Sequence, residues 1–359
     1  MRVTSANWHA NCNFNIVKRT TMEFAFKTIH EFNDFFKDEK TCYEFLESQR
    51  WPDSRAVCPH CGTAKQPYKV KPRGMFKDIP SYRCSERECS LPFTVRTGSI
   101  FEGSKIELRK WFQAAYEITT SKKGISSIEV ATRIGVSQKT GWLMNHKIRT
   151  MLADTAPELL GETGKTVQAD ETYVGGKNKN RHKDKKIEGS QGRSAADKTP
   201  VVGLIEKGGR VMTFVTQDTS AETLTQIIDN NVVDGATIVT DAYKSYATIG
   251  NAYNHITVKH QEGGYITEKN GNKFHTQNIE NFWSQLKRGY VGIYHYMSPR
   301  HLHRYCNEFA TRYNLREVSN IERFLHIVRN ADVPTVRYRT LTPNISNPNH
   351  HAKKKASIN

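Results

Sequence analysis

Residues 275–289 read HTQNIENFWSQLKRG, and this stretch decides the fold. Four apolar residues in it recur at the spacing i, i+3, i+4 and i+7: Ile279, Phe282, Trp283 and Leu286. That spacing predicts a helix with one face against a core and with Thr276 as its N-cap. Glu280 lies off the centre of the apolar face, and Lys287 follows it two turns along the same side. The helix therefore presents a carboxylate and, about 10 Å along its axis, an ammonium group.

An exposed Glu and Lys on a surface helix would be the simplest interpretation, but two carboxylates upstream favour a site. Asp170 lies in the middle of residues 166–176, TVQADETYVGG, where alternation places it on the same strand face as Gln168. Asp is disfavoured in the middle of a strand, so its presence there indicates a function. Asp241 directly follows the short apolar strand 236–240.

From residue 166 the patterns predict three strands, a helix, a strand, a second helix that begins at residues 243–246, a further strand and the 275–289 helix. Ser298 as N-cap and Pro299 at the first helical position then predict another helix. This order makes an α/β fold with a mixed sheet and helices on its faces. If the first and fourth strands are neighbours, Asp170 and Asp241 lie side by side, and the 275–289 helix brings in Glu280. Three hard oxygen ligands suit two Mg²⁺ or Mn²⁺ ions, a pair that activates a hydroxyl and stabilises the leaving oxygen of a phosphodiester. Lys287 would then meet a DNA phosphate near the cut.

The composition favours a nucleic-acid partner. The chain has 359 residues, a formal net charge of +17 and a pI of about 9.5. At this length such an excess of Lys and Arg favours a polyanion over simple solubility. The sequence has no run of 18 apolar residues, and its first 21 residues lack the apolar segment of a secretory signal. We therefore expect neither a membrane span nor a signal peptide.

The cysteines indicate a metal site in a reducing compartment. Seven cysteines, an odd number, do not suit a disulfide framework, and four of them are clustered: Cys58, Cys61, Cys84 and Cys89. Four thiolates at this spacing bind one Zn²⁺, while four buried free thiols are the alternative. Zinc is favoured because residues 51–101 have too few apolar side chains to fold unaided. His60, between the first two cysteines, is interpreted as a bystander.

Residues 102–152 are predicted to be helical, and their last two helices have helix-turn-helix spacing. Gly135 and Val136 form the turn, and Ser137 caps the last helix. Its first turn holds the residues expected to meet base edges: Gln138, Lys139 and Thr140. Many helical hairpins of this kind touch no DNA, but the predicted zinc ribbon and the basic charge favour DNA binding.

The other segments are assigned mainly from composition. Residues 177–198 carry eight Lys or Arg and three acids, and they read either as a solvated insertion or as a phosphate-binding loop. The tail is predicted to be disordered from about residue 339. The full predicted division is an extension or disordered segment (1–27), N-terminal helices (28–50), a zinc ribbon (51–101), a helix-turn-helix domain (102–152), a linker (153–165), a catalytic domain (166–330) and a basic tail (331–359).

Six segments carry a resemblance to a known family: CPHCG with YRC, RTGSIFEGSKIELRKWF, DETYVGGK, VTDAYKSY, HTQNIENFWSQLKRG and HLHRYCNEFATRYNLR. Over about residues 28–330 the chain resembles the DDE transposases of bacterial insertion sequences, in the zinc-ribbon group called ISXO-two-like. The resemblance implies an RNase H-like catalytic fold. It also implies that Asp170, Asp241 and Glu280 are the metal-binding triad and that Lys287 is the accompanying base.

Some members of that group have Asn as the third residue, which makes Asn278 the alternative to Glu280. The seven-residue gap to Lys287 favours Glu280. The function implied is DNA transposition on double-stranded DNA, by a homodimer or higher oligomer. The protein is expected to bind terminal inverted repeats through the zinc ribbon and the helix-turn-helix, to hydrolyse the element's end to a 3′-OH, and to join that hydroxyl to target DNA.

Two alternatives stay open at this point. One is a metal-dependent nuclease or resolvase on the same fold, which cuts strands without joining them. The other is a catalytically silent, transposase-derived DNA-binding regulator, against which the intact triad argues. In a prokaryotic host we expect the protein in the cytoplasm, at the nucleoid.

Overall fold

A computed structural model describes residues 26–53, 55–71, 79–153, 157–176, 182–188, 197–249, 252–259 and 265–342. The chain divides into two compact units. Among the described residues, the sheet unit holds those up to 32, those of 119–126 and those of 152–323, and the helical unit holds those of 33–118, those of 127–151 and those from 324 onward.

The helices of the described residues are, in chain order, α1 (Ile29–Phe35), α2 (Glu39–Arg50), α3 (Leu108–Thr120), α4 (Ser127–Ile134), α5 (Gln138–Met151), α6 (Ala221–Asn231), α7 (Gln277–Gly289), α8 (Leu302–Asn314), α9 (Asn320–Arg329) and α10 (Tyr338–Leu341). The strands are β1 (Tyr68–Val70), β2 (Ser81–Arg83), β3 (Pro92–Phe93), β4 (Thr166–Val174), β5 (Thr199–Glu206), β6 (Val211–Val215), β7 (Thr237–Asp241), β8 (Asn254–Val258), β9 (Thr267–Lys269) and β10 (Asn272–Phe274).

Two short helices, α1 and α2, open the described chain, with a break at residues 36–38 between them. Asp38 ends the break, because its carboxylate accepts a hydrogen bond from the backbone N–H of Thr41 at 2.7 Å and so caps α2. The core of the helical unit is aromatic. Its rings pack against one another within about 6 Å between centroids: Phe36, Phe45, Phe112 and Phe324.

The zinc-ribbon region forms a small antiparallel sheet in the order β1-β2-β3. Its apolar content is low, as the sequence predicts. The rings of Tyr82 and Phe93 stack with their centroids 5.6 Å apart, and Trp51 meets both edge-on. A sheet this small needs a further source of stability.

Helices α4 and α5 pack closely across a three-residue turn. Gly135 in the turn has a φ of +66°, a conformation that favours glycine. The Ser137 hydroxyl accepts a hydrogen bond from the backbone N–H of Thr140 at 3.3 Å, which confirms the predicted cap. A Cβ atom at Gly141 would lie 2.7 Å from the carbonyl oxygen of Ser127, so this crossing requires glycine.

The sheet unit is built on a mixed sheet of five strands in the order β6-β5-β4-β7-β8. β4 pairs with β5, and β5 with β6, in antiparallel fashion, while β4, β7 and β8 run parallel. The first and fourth strands of this sheet are therefore neighbours. In the described sheet β4 is the central strand, and it pairs in antiparallel fashion with β5 and in parallel fashion with β7.

Each face of the sheet is covered. On one face, α6 buries Leu224 and Ile228 against Val167 and Ala169 of β4. On the other face, α7 and α8 bury the predicted apolar stripe of residues 275–289, so that prediction is confirmed.

Gly203 of β5 makes the close approach of α7 possible. A Cβ atom there would lie 2.5 Å from the Trp283 ring and 2.8 Å from the Ile279 side chain. Any side chain at this position would push α7 away from the sheet.

Four details of the sheet unit differ from the sequence prediction. The predicted helix at 243–246 is a 3-10 turn, Lys244–Thr248. The glycine-rich loop before α7 contains the hairpin β9-β10. The helix predicted to start at Ser298 opens with a 3-10 turn, Pro299–His301, before α8 begins. A π-helical turn, Tyr290–Tyr294, extends α7.

The unit boundaries also differ from the predicted domains. Residues 119–126, predicted to belong with the helix-turn-helix, fall in the sheet unit, where Arg312 Nε donates a hydrogen bond to the Ser121 carbonyl at 2.9 Å. From Phe324 the chain falls in the helical unit, because that ring is buried in the aromatic core.

The predicted disorder from residue 339 is wrong for its first residues, since α10 ends at Leu341 with that side chain buried. The predictions for residues 1–25, for the tail beyond 342, and for 177–181 and 189–196 of the basic stretch lie outside the described residues. Among the helices described, none has the length and apolar character that crossing a membrane requires.

Candidate active site and zinc centre

The two predicted aspartates, Asp170 and Asp241, lie on β4 and β7, which are paired in parallel. The register pairs Gln168 with Val239, and Asp170 and Asp241 each come two residues further along their own strands. This is the neighbouring arrangement on which the sequence argument depended. Asp241 closes β7, and its Oδ1 accepts a hydrogen bond from the backbone N–H of Tyr243 at 2.9 Å.

Gln168 fixes the start of α7 against the sheet. Its buried Oε1 accepts hydrogen bonds from the backbone N–H groups of Asn278 at 3.1 Å and Ile279 at 3.2 Å. These are two of the donors that a helix start leaves without intrahelical partners. Thr276 is the N-cap residue, as predicted, but its hydroxyl instead donates to Glu280 Oε1 at 2.6 Å.

Asp170 is held by α7 as well as by its strand. The indole Nε1 of Trp283 donates a hydrogen bond to Asp170 Oδ2 at 3.1 Å. Gly203 lies opposite Asp170 on β5, and its missing side chain is what lets the Trp283 ring reach this position. One residue of the predicted apolar stripe therefore also orients the central carboxylate.

A cavity of about 790 Å³ opens beside Asp170. Its charged lining residues are Lys123, Asp170, Glu171, Glu280, Lys287 and Arg288. Three of the predicted site residues thus share one cavity. Of the residues that the structure describes, those lining the cavity do not include Asp241 or Asn278.

The electrostatics of Asp170 indicate a place for a cation. Burial, reinforced by the negative charges of Glu171, Asp241 and Glu280, raises the pKa of Asp170 to about 7. Carboxylates that oppose one another's ionisation in this way fit a divalent cation, which would favour the ionised form of each. The donor set consists of hard oxygens and therefore suits Mg²⁺ or Mn²⁺.

A fourth carboxylate, Glu171, was not singled out from the sequence. It is buried, and its Oε2 accepts a hydrogen bond from the hydroxyl of Tyr246 at 3.1 Å. Burial and the charge of Glu171 raise the pKa of Tyr246 well above its ordinary value, so that hydroxyl stays a donor. The DE dipeptide at 170–171 was the available signal.

The four clustered cysteines converge as a zinc site requires. Their sulfur atoms all lie within 4.8 Å of one another, with Cys58 Sγ 3.8 Å from Cys89 Sγ and Cys61 Sγ 3.6 Å from Cys84 Sγ. Zn–S bonds of about 2.3 Å in a tetrahedron place sulfurs about 3.8 Å apart, so the residues fit Zn²⁺. His60 lies outside this cluster, and one of its ring nitrogens is 3.3 Å from the Pro92 carbonyl.

The residues predicted to read DNA lie at the start of α5. Gln138 and Lys139 are exposed and Thr140 is half-buried. Gln138 Nε2 donates to the Ser127 hydroxyl at 3.2 Å, and Lys139 Nζ lies 4.3 Å from the centre of the Tyr338 ring. The long side chains are thus placed on a surface, each with a contact inside the chain.

Comparison with known protein families matches two segments of the chain. The family description "ISXO2-like transposase domain" matches residues 158–314, and "Transposase zinc-ribbon domain" matches residues 37–91. Together these matches cover more than half of the chain.

The chain belongs to the ISXO2-like transposases. It is a DDE-type transposase of an insertion element with a zinc-ribbon domain. The four-cysteine cluster lies within the residues that match the zinc-ribbon description, and its geometry is able to bind zinc.

Two individual proteins show more distant similarity to this transposase. The "Uncharacterized protein in transposable element ISH50" from Halobacterium salinarum is 26% identical over 286 residues, which covers 77% of this chain and 91% of that protein. The "Crystal structure of the Mos1 Strand Transfer Complex" aligns with 11% identity and a TM-score of 0.24, covering 63% of this chain and 79% of the other.

Proposed function

We propose that this transposase cleaves the ends of its element and joins them to target DNA with Asp170, Asp241 and Glu280 as its catalytic carboxylates. The observation that carries the proposal is the environment of the Asp170 carboxyl group. Asp170 lies on the central strand of a mixed sheet and lines one cavity with Glu280, and burial together with neighbouring carboxylates raises its pKa to about 7. The mixed sheet with helices on both faces supports an RNase H-like fold for this domain.

Two Mg²⁺ or Mn²⁺ ions at these carboxylates would activate the attacking hydroxyl and stabilise the leaving oxygen of the phosphodiester. Side chains of the protein itself orient these carboxylates. Trp283 orients Asp170 through its indole N–H, and the Thr276 hydroxyl orients Glu280. Lys287 lines the same cavity, where its ammonium group would bind a DNA phosphate beside the bond to be cut.

Glu280 is the third carboxylate of the proposed site, in preference to Asn278. Glu280 lines the cavity and its charge contributes to the raised pKa of Asp170. The two residues are two positions apart on α7 and therefore about 200° apart around it, so both cannot face the same cavity. An ionised carboxylate is also the stronger ligand for Mg²⁺.

End recognition is proposed to belong to the zinc ribbon and to α4 and α5 as a helix-turn-helix. Gln138 and Lys139 are exposed on the first turn of α5, with Thr140 beside them, which is where such a helix meets base edges. The net charge of +17 supports binding to double-stranded DNA. Two element ends must be processed together in transposition, so we propose a homodimer or higher oligomer on DNA.

A strand-transfer assay with end-labelled duplexes from the element termini tests the proposal. A transposase yields both the cleaved end and a product in which that end is joined to target DNA. A nuclease or resolvase would yield only cleavage, and a silent DNA-binding regulator would yield neither. Cleavage of the element end without a joined product would therefore overturn the proposed function.

A further inference from the structure

We propose that Lys123 binds a phosphate of the DNA strand held at the carboxylate site. This inference rests on the proposed function and adds to it a binding residue from a distant part of the sequence. Lys123 lies in the loop between α3 and α4, 47 positions before Asp170. It nevertheless lines the same cavity as Asp170, Glu280 and Lys287.

The loop that carries Lys123 is anchored on the sheet unit. The carbonyl oxygen of Ser121 accepts hydrogen bonds from Arg312 Nε at 2.9 Å and from the backbone N–H of Gly124 at 3.3 Å. Gly124 has a φ of +101°, and a Cβ atom there would lie 2.3 Å from the Tyr294 hydroxyl oxygen. Only glycine allows the loop to approach the π-helical turn this closely.

A buried charged network supports the surface on which the loop rests. The Tyr294 hydroxyl donates to Glu308 Oε1 at 2.6 Å, and Arg312 pairs with the same carboxylate at 2.6 Å. Glu308 is 1% exposed, so its carboxylate is desolvated and its two partners bind it in a low-dielectric environment. Gly289, at the end of α7, adds a second close approach, since a Cβ atom there would lie 3.1 Å from the Lys123 carbonyl.

The charges of the cavity explain what the Lys123 side chain can bind. Lys123, Lys287 and Arg288 line the cavity, and within the part of the chain that the structure describes none of these three side chains makes an ion pair or a hydrogen bond. Lys123 is also exposed. An ammonium group on an anchored loop that lines the proposed DNA-processing site fits a phosphodiester oxygen.

The alternative is a solvated surface lysine, and salt dependence separates the two. In full-length protein we would measure binding to an element-end duplex across a range of salt concentrations, in Ca²⁺ to prevent cleavage. Each lysine–phosphate contact contributes about 0.9 to the slope of log K against log salt. We expect Lys123→Ala to reduce the slope by about that amount and Lys123→Arg to retain it. The matched control is Lys122→Ala, because Lys122 is exposed but does not line the cavity.

A second measurement locates the contact. In a series of substrates, a single neutral methylphosphonate replaces one phosphodiester linkage at a time around the scissile bond. At the linkage that Lys123 contacts, the replacement should slow cleavage by wild type but should not slow cleavage by Lys123→Ala any further. A slope in Lys123→Ala equal to that of wild type, or an equal change in Lys122→Ala, would overturn the assignment. Failure of the proposed function has a different signature, in which Glu280→Gln cleaves as fast as wild type.

Discussion

Removing the charge of Asp170 should stabilise the metal-free protein at alkaline pH. The pKa of this carboxyl is about 7 in the folded chain, against 3.8 for an ordinary Asp carboxyl. Between these two pH values the folded state keeps a proton that the unfolded chain has released. The contribution of this carboxyl to the free energy of unfolding is therefore fully present below pH 3.8 and is lost as pH rises through 7. About three pKa units correspond to about 4 kcal/mol well above pH 7, of which about 2.5 kcal/mol is lost between pH 5 and pH 8.

The measurement is urea unfolding of the sheet unit at pH 5 and pH 8, in buffers free of Mg²⁺ and Mn²⁺ that leave zinc in place. Wild type should lose about 2.5 kcal/mol more than Asp170→Asn between the two pH values, and added Mg²⁺ should restore it. Asp234→Asn is the control, since Asp234 is exposed and outside the cavity. Equal pH dependence in wild type and Asp170→Asn would refute the account of the carboxylate cluster.

Three further predictions concern the zinc centre and the start of α7. Cys61→Ser should unfold residues 51–101 and release zinc, while the sheet unit stays folded; native protein without zinc in metal analysis would contradict this. Glu280→Gln should lose at least about 10²-fold in cleavage rate, near 3 kcal/mol, while Asn278→Ala should cost mainly stability, about 1 kcal/mol; the reverse pattern would make Asn278 the third ligand. Gln168→Ala leaves two backbone N–H groups of α7 without their acceptor, so urea unfolding should show a loss of about 1–3 kcal/mol, and unchanged stability would count against this capping role.

Much of the sheet unit follows from local sequence patterns. The period of residues 275–289 predicts α7 and its buried face, and the alternation around Asp170 predicts β4 and the face it shares with Gln168. The pairing of β4 with β7 was only a condition in the sequence argument. No local pattern encodes which strands become neighbours, because that choice is made by the packing of helices on both faces.

The contacts that orient the site could not be predicted for the same reason. Gln168 caps a helix that begins more than 100 residues later, and a polar residue in a strand carries no signal of that partner. Gly203 reads as an ordinary strand glycine until Trp283 is placed against it. Lys123 is one of two adjacent lysines in an inter-helix loop, and only the fold brings it to the cavity.

Short elements were the other source of error. The predicted helix near Tyr243 is a 3-10 turn, Lys244–Thr248, with a single buried residue, Tyr246. The predicted disorder from residue 339 missed α10, whose burial depends on one apolar residue, Leu341, in a polar segment. Single buried residues of this kind do not produce a period that can be recognised.

The most direct test of the central claim is the single-turnover cleavage rate of a labelled element end by wild type and by Asp241→Asn in Mg²⁺, with end binding measured in parallel. The account predicts that Asp241→Asn binds the end as wild type does but does not cleave it, because a neutral amide does not balance the charge of the metal pair. Cleavage by Asp241→Asn at the wild-type rate would contradict the assignment of the catalytic carboxylates.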